Sequence, residues 1–348
     1  MKIVADKNVP FLQGVFEPYA EVVYKEGNEI TSSDVHDADA LIIRTRTRCD
    51  ASLLEGSSVK MIATATIGMD HIDMEYCAEH GIEVFNAEGC NSGGVMQYVF
   101  SALYGVASRK AIKLDDFVFG VIGVGNVGSK VAALAEFLGF KVLRCDPPRA
   151  QKEGDEGFCS LDYLLAHSNV VSLHVPLEPS TKGMADEEFF TSMQPGSIFI
   201  NASRGEVVDD QALKEAAPKF GAIIIDTWNG EPNVDEELID LVDIATPHIA
   251  GYSYRGKQNG TASAVRSVAR YFGITDLYEF YPVNKLPEYE PVRLDLKGMK
   301  QGEIAALFQY NYPVFTDDFR FRMEPDKFEK MRSAYQYRRE IIIEGLSI

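Results

Sequence analysis

The chain has 348 residues and a formal charge of −18, from 34 Lys and Arg against 52 Asp and Glu; 46% of it is apolar and 25% charged. That length suits two or three globular domains with a sizeable core, and so acidic a surface repels nucleic acid and anionic lipid, which excludes both as expected partners. The five cysteines, Cys49, Cys77, Cys90, Cys145 and Cys159, are odd in number and include no CxxC pair, so neither a disulfide framework nor a bound metal is expected.

The N-terminus, MKIVADKNVP, reads as the start of a strand. It lacks the apolar core of a signal peptide, and no later run reaches the roughly 18 apolar residues of a membrane span. A cytoplasmic location is the expectation.

In the first hundred residues, KIVA, EVVYK, ALIIR, KMIATAT and IEVFNA are short runs rich in β-branched residues, and amphipathic stretches such as DMEYCAEHG lie between them. This alternation predicts a parallel sheet with helices on both faces. A long helix is predicted over Ser92 to Arg109, followed by the apolar strand FVFGVIG. The alternation then resumes through KVLRCD, NVVSLHVP, SIFINAS, AIIIDTW and DIATPHIA, and a further helix is predicted from about Thr261 to Phe272. Pro282, Pro287 and Pro291 mark a linker. The remainder is dense in aromatics, and DKFEKMRSAYQYRREI reads as a helix of mixed polarity.

The strongest motif is Gly123-Val124-Gly125-Asn126-Val127-Gly128. It follows a strand, opens a helix and precedes a second strand that ends at Asp146, which is the full context of a dinucleotide fingerprint. Gly123 permits the tight turn, Gly125 the approach of a pyrophosphate, and Gly128 close helix–strand packing. Asp146 is placed to bind ribose hydroxyls and to repel a 2′-phosphate. NAD is therefore the expected cofactor, with Arg149 the counterargument.

Arg204, Glu231 and His248 each follow one of the later strands, so the topology can bring them together at the carboxyl ends of a parallel sheet. Their chemistry matches a 2-hydroxy acid. A guanidinium holds the carboxylate, an imidazole takes the hydroxyl proton, and a carboxylate supports the imidazole. Arg44 and Thr45 end one strand of the first segment, and Thr64 and Thr66 end the next. These groups suit a substrate phosphate. His36, His71, His80 and His167 read as surface or packing residues, His174 as shaping a loop, and Trp228 as core.

Over about residues 1 to 275 the chain resembles the D-isomer-specific 2-hydroxyacid dehydrogenases. The motifs that carry this are GVIGVGNVG, Asn201-Ala202-Ser203-Arg204-Gly205 with Val207-Val208-Asp209, Asp226-Thr227-Trp228 leading to Glu231-Pro232, and Thr246-Pro247-His248-Ile249-Ala250-Gly251. The resemblance implies Arg204, Glu231 and His248 as the catalytic set. It also implies cofactor contacts at Val175, Ala202, Asp226 and Gly251, with Ser203 counted among them.

A branch of the family that acts on a phosphorylated substrate shares Asp6-Lys7-Asn8-Val9-Pro10, the Thr64-to-His71 run, Gly89-Cys90-Asn91, the Cys145-to-Arg149 run and His248-to-Tyr252. It implies substrate contacts at Thr45, Thr66 and Tyr252 and a C-terminal dimerisation domain. Phe308, Tyr310, Tyr312, Phe315, Phe319 and Phe321 point the same way, because so short a segment has little volume in which to bury them. In such a homodimer Arg338 and Arg339 are expected to approach the neighbouring subunit's cleft.

The fold expected is α/β: two Rossmann-like doubly wound parallel-sheet domains with a cleft between them, and a small α+β C-terminal domain. Residues 1–92 and 254–280 form the substrate domain, 93–253 the NAD domain, and 281–348 the dimerisation domain. The expected activity is NAD-dependent oxidation of a small phosphorylated 2-hydroxy acid. A phosphoglycerate or glyoxylate type of the family is the first rival. An NAD-sensing binding protein on the same fold is the second.

Overall fold

The computed structural model describes residues 1–283 and 287–346. The middle of the expected proline-rich linker, 284–286, lies outside the described residues. The chain forms two compact units, one from residues 1–91 and 253–290, the other from 92–252 and 291–348.

The first unit is built on strands β1 (Lys2–Asp6), β2 (Glu21–Lys25), β3 (Ala40–Ile43), β4 (Met61–Thr64) and β5 (Glu83–Phe85). They lie in the order β2-β1-β3-β4-β5, every pair parallel. Strands β3 and β4 are buried at every residue, which is why they read as continuous apolar runs and not as alternating ones. On one face, Ala264, Val265, Val268 and Ala269 of the helix Tyr254–Phe272 join Ile3, Ala5, Ile42 and Ala63 in one apolar cluster. On the other, Leu53, Leu54 and Cys77 cluster with Val4, Leu41 and Ile62.

The helix Tyr254–Phe272 begins a full turn and more before the Thr261 expected from sequence. Its first residues, YRGKQNG, carry no apolar period, and the start is set by the Ser253 hydroxyl, which accepts from Gly256 N–H as an N-cap does.

In the second unit β6 (Val118–Ile122), β7 (Lys141–Cys145), β8 (Val170–Leu173), β9 (Ile198–Asn201), β10 (Ala222–Ile225) and β11 (Ile244–Ala245) form one parallel sheet, ordered β11-β10-β9-β8-β6-β7. The order turns back at β6, which has β7 on one side and β8 on the other. Such a switch point opens a crevice beyond the carboxyl ends of the strands, where ligands of this architecture bind. The helix Ser92–Arg109 is buried over most of its length and supplies Tyr98, Phe100 and Leu103 to the core under the sheet.

The C-terminal residues do not stand as a compact unit of their own. Strands β12 (Val292–Leu294) and β13 (Ile341–Ile343) pair in parallel, and the helices Gln301–Asn311 and Val314–Met323 pack into the second unit. Phe308, Tyr312 and Val314 belong to the same core as Phe100 and Phe119, and Phe321 and Phe328 to the core that holds Trp228. Trp228 is thus a core residue, as expected.

The tail's aromatics are thus divided between core and solvent, where exposure was expected of the group. Phe308, Tyr312 and Phe321 are buried within the chain, and Phe315 lies 3.3 Å beneath the Arg109 guanidinium. A short segment can bury its rings when a larger neighbour supplies the surface. Tyr310, at 87%, and Phe319, at 63%, do face solvent. The helix expected across DKFEKMRSAYQYRREI shrinks to Phe328–Ser333, because the residues after it bond to loops of the second unit. Arg338 N–H, for example, donates to Tyr252 O at 3.3 Å.

The five cysteines are free. Among the described residues no cluster of His, Cys, Asp and Glu suits a metal, and no helix is long and apolar enough to cross a membrane.

Candidate active site

The fingerprint runs from the end of β6 into the helix Asn126–Phe137. A Cβ on Gly128 would stand 1.9 Å from the Gly123 carbonyl oxygen, so helix and strand meet here only because this residue is glycine. A Cβ on Gly125 would meet nothing within 4 Å. The protein leaves that space open at the end of a helix whose first N–H groups have no partner in the helix, which fits a pyrophosphate. Gly125 and Asn126 are exposed and Val127 half-buried. Val175, after β8, lines the turn: its Cγ1 would be 2.9 Å from a Cβ on Gly123.

Asp146 follows β7. Its carboxylate accepts from Val124 N–H at 2.7 Å and from Arg149 N–H at 3.0 Å, which leaves lone pairs for ribose hydroxyls. Arg149 is engaged with Glu153 through Nε at 2.9 Å and Nη2 at 2.7 Å, and with the Val124 carbonyl through Nη1. A guanidinium committed in this way weakens the case for a 2′-phosphate. A cavity of about 710 Å³ opens beside Asp146, lined by Cys145, Pro147, Ala150 and Phe158 among others. The fingerprint and Asp146 together fit NAD.

The catalytic candidates follow three adjacent strands, β9, β10 and β11. Asn201 ends β9 and shapes the next turn. Its Oδ1 accepts from Ser203 N–H and Oγ–H at 3.0 and 2.8 Å, and its Nδ2 donates to Arg204 O at 3.0 Å. Ser203 is buried and its hydroxyl is spent on this turn, while Ala202 is half-buried beside it. Arg204 Nη1 donates to Ser203 O at 2.8 Å. A Cβ on Gly205 would lie 2.0 Å from the carbonyl carbon of Trp228. The Arg204 turn therefore rests directly on the loop that carries Glu231, and Asn229 ties the two by donating to Val208 O at 2.9 Å.

Glu231 and His248 are joined. The imidazole Nδ1 lies 2.9 Å from Glu231 Oε2 and 3.1 Å from Oε1, and Trp228 N–H donates to Oε1 at 3.0 Å. With Nδ1 facing a carboxylate it carries the proton, and Nε2 is left as the base. Burial pushes the Glu231 carboxyl up, but the His248 charge, the hydrogen bonds from His248 and Trp228 N–H and the charge of Arg332 outweigh it. Glu231 stays below the usual range and is ionised.

His248 sits at φ 54°, a left-handed conformation that costs a non-glycine residue of order 1–3 kcal/mol. The loop is held there by Asp226, which is fully buried. Its Oδ1 accepts from Thr246 Oγ–H at 2.7 Å and Ile249 N–H at 2.8 Å, and its Oδ2 from Ala250 N–H at 2.9 Å. Burial raises the Asp226 carboxyl above its ordinary value against the opposing His248 charge and these donors. Trp228 Nε1 donates to Thr246 O at 2.8 Å and braces the same loop. Gly251 is half-buried and closes it.

His174 bonds Ser172 Oγ at 2.9 Å. Its other ring nitrogen is out of solvent without a partner, and burial pushes the imidazole down to about 3. It is neutral and suited to shaping the turn at Gly123, not to proton transfer.

Two tail arginines meet this region, and of these Arg332 was not singled out from the sequence. Arg332 Nη1 stands 3.7 Å from Glu231 Oε2. Arg338 is buried and donates to Ile249 O at 2.8 Å, to Gly94 O at 2.9 Å and to Ala250 O. That corrects the expectation that Arg338 reaches toward a neighbouring subunit. It is consumed by carbonyls of its own chain, beside the His248 loop. Arg332 belongs to no motif, so only the folded tail reveals it. Tyr252 lies on the same loop, its ring 5.9 Å from that of Tyr335.

In the first unit the phosphate candidates follow neighbouring strand ends, since Ile43 of β3 pairs with Thr64 of β4. Arg44 Nε donates to the buried Asp6 at 3.0 Å, Thr45 is exposed, and Thr66 Oγ1 lies 2.7 Å from Thr64 Oγ1.

Comparison with known proteins places the chain in a family. The family model described as D-isomer specific 2-hydroxyacid dehydrogenase, NAD binding domain, matches residues 104–250. The erythronate-4-phosphate dehydrogenase of Bacteroides thetaiotaomicron is 44% identical over 347 residues, 98% of this chain and 97% of that one. The enzyme of the same name from Pseudomonas entomophila is 40% identical over 365 residues, 100% of this chain and 94% of that one. Among solved structures, an NAD⁺-bound 3-phosphoglycerate dehydrogenase of Entamoeba histolytica matches with a TM-score of 0.66 at 27% identity, covering 82% of this chain and 99% of that one. The chain belongs to the D-isomer-specific 2-hydroxyacid dehydrogenase family, within its erythronate-4-phosphate dehydrogenase group.

Proposed function

We propose that this chain oxidises 4-phospho-D-erythronate to 2-oxo-3-hydroxy-4-phosphobutanoate with NAD⁺, a step of vitamin B6 biosynthesis. The observation that carries the reading is the Glu231–His248 pair, joined at 2.9 Å one strand away from the Arg204 turn. NAD⁺, when bound, supplies the acceptor for the hydride that leaves C2.

The chain's own residues do the rest. Arg204 holds the substrate carboxylate with its planar fork. His248 Nε2 takes the C2 hydroxyl proton, and Glu231 stabilises the imidazolium that results. The Asp226 carboxylate keeps His248 in place. Thr45, Thr66 and Arg44 are the proposed contacts of the phosphate, with Tyr252 a further substrate contact. The names of the relatives favour this substrate over the phosphoglycerate and glyoxylate alternatives, and steady turnover separates an enzyme from an NAD-binding sensor.

NADH absorbance, followed while 4-phosphoerythronate, 3-phosphoglycerate and D-lactate are offered in turn, should show preferred turnover of the first. His248→Ala should then lose about 10²- to 10⁴-fold in kcat, the range of general acid–base catalysis. Full turnover by that variant, or preference for another acid, contradicts the reading.

Cofactor choice is read at Asp146. The unaltered chain should prefer NAD⁺ strongly over NADP⁺, and Asp146→Ala should narrow the gap in kcat/KM. Equal use of both cofactors by the unaltered chain would point to Arg149 instead.

The proposed assembly is a cytoplasmic homodimer. Tyr310, Phe319 and Met323 are exposed on consecutive tail helices, and exposed aromatics gathered in one segment suit a twofold interface. Light scattering of a Tyr310→Asp, Phe319→Asp double variant should report a monomer, whereas an intact dimer would place the interface elsewhere. Fractionation of cells tests the location.

A further inference from the structure

The tail brings one cation to the catalytic pair, and nothing in the reaction as derived so far uses it. Arg332 lies on the helix Phe328–Ser333. Its guanidinium stands 5.6 Å from the Phe328 ring and 5.9 Å from the Tyr252 ring, with Nη1 3.7 Å from Glu231 Oε2. At that distance it acts as a charge and not as a hydrogen-bond donor. Its Nε is out of solvent and has no hydrogen-bond partner, so no structural bond of Nε accounts for its position. The side chain is 16% exposed, where screening by water is reduced and a unit charge counts for more than at the surface.

We infer that Arg332 is a positioning residue for the reaction: paired with Glu231 behind His248, it opposes the imidazolium as a like charge. The role rests on the reading of His248 as the base. The other charged or titratable groups about the pair are Glu231 and Asp226 on the β10 loop, Arg204 after β9, Tyr252 beside His248, and Tyr335 and Arg338 in the tail. Arg338 is spent on main-chain carbonyls, and Glu231 is the group that Arg332 pairs with.

The sign follows from these charges. Glu231 is ionised with or without Arg332, because His248 Nδ1 stands at hydrogen-bond distance from both of its oxygens. Removing Arg332 therefore acts mainly by sparing the imidazolium a neighbouring cation, which favours the protonated form. Oxidation, which needs a neutral His248, should lose its acid side. Reduction, which needs the protonated form, should extend to more alkaline pH. A loss of structure would lower both directions together.

The test compares Arg332→Gln, Arg332→Met and Arg332→Lys with the unaltered chain. Methionine keeps the packing between Phe328 and Tyr252, so a neutral variant survives if glutamine disturbs the fold. Histidine NMR, with His248 assigned from His248→Gln, reads the titration without any substrate, and so stands or falls apart from the proposed activity. In the neutral variants the His248 signal should titrate about 0.5–1 pH unit higher. On the acid limb that is about a three- to tenfold slower oxidation, with the alkaline plateau kept and the lysine variant matching the unaltered chain. An unmoved or lowered His248 titration in the neutral variants, or a lysine variant that behaves like the neutral ones, overturns the proposal.

Discussion

Asp226 has no water to solvate its charge. Its carboxylate is sealed beneath the loop that follows β11, and the Thr246 hydroxyl with the Ile249 and Ala250 N–H groups supplies the solvation instead. Hydrogen bonds to a charged group contribute roughly 1.5–3 kcal/mol each, and an unpaired buried carboxylate costs several kcal/mol. Between Thr246 and Ala250 the chain therefore has one well-satisfied path, and His248 lies in the middle of it at a positive φ. The strain of that conformation is offset by the bonds on either side. The same anchor sets the facing of Nδ1 toward Glu231, and Trp228 and Arg338 brace the same loop.

The second constraint is close backbone approach. The Arg204 turn and the Glu231 loop touch at Gly205, and the strand–turn–helix of the fingerprint closes at Gly128. A methyl group at either place would push apart elements that must stay together.

Much of the fold was legible because strands buried on both faces announce themselves as apolar runs. The strand positions and the helix Ser92–Arg109 were read directly. The candidate catalytic set could be read for a related reason: Arg204, Glu231 and His248 each follow a strand, and parallel topology gathers strand ends. Asp226 was read as a cofactor contact from family resemblance. Its burial shows a supporting role under the loop that no linear pattern reveals. The tail was the least legible part. An aromatic residue on a short helix reads alike whether it faces solvent, as Tyr310 does, or the core of a neighbouring segment, as Phe308 does. Arg338 was expected to approach a neighbouring subunit's cleft; three main-chain carbonyls of its own chain decide otherwise.

The central claim is that a hydride leaves C2 of the substrate while His248 takes the hydroxyl proton. Mass spectrometry of the NADH formed from 4-phospho-D-erythronate carrying deuterium at C2 tests it most directly. The account predicts that the deuterium appears in the NADH and that turnover of the labelled acid is slowed whenever the chemical step limits the rate. NADH without deuterium, with the label released to water, would contradict it.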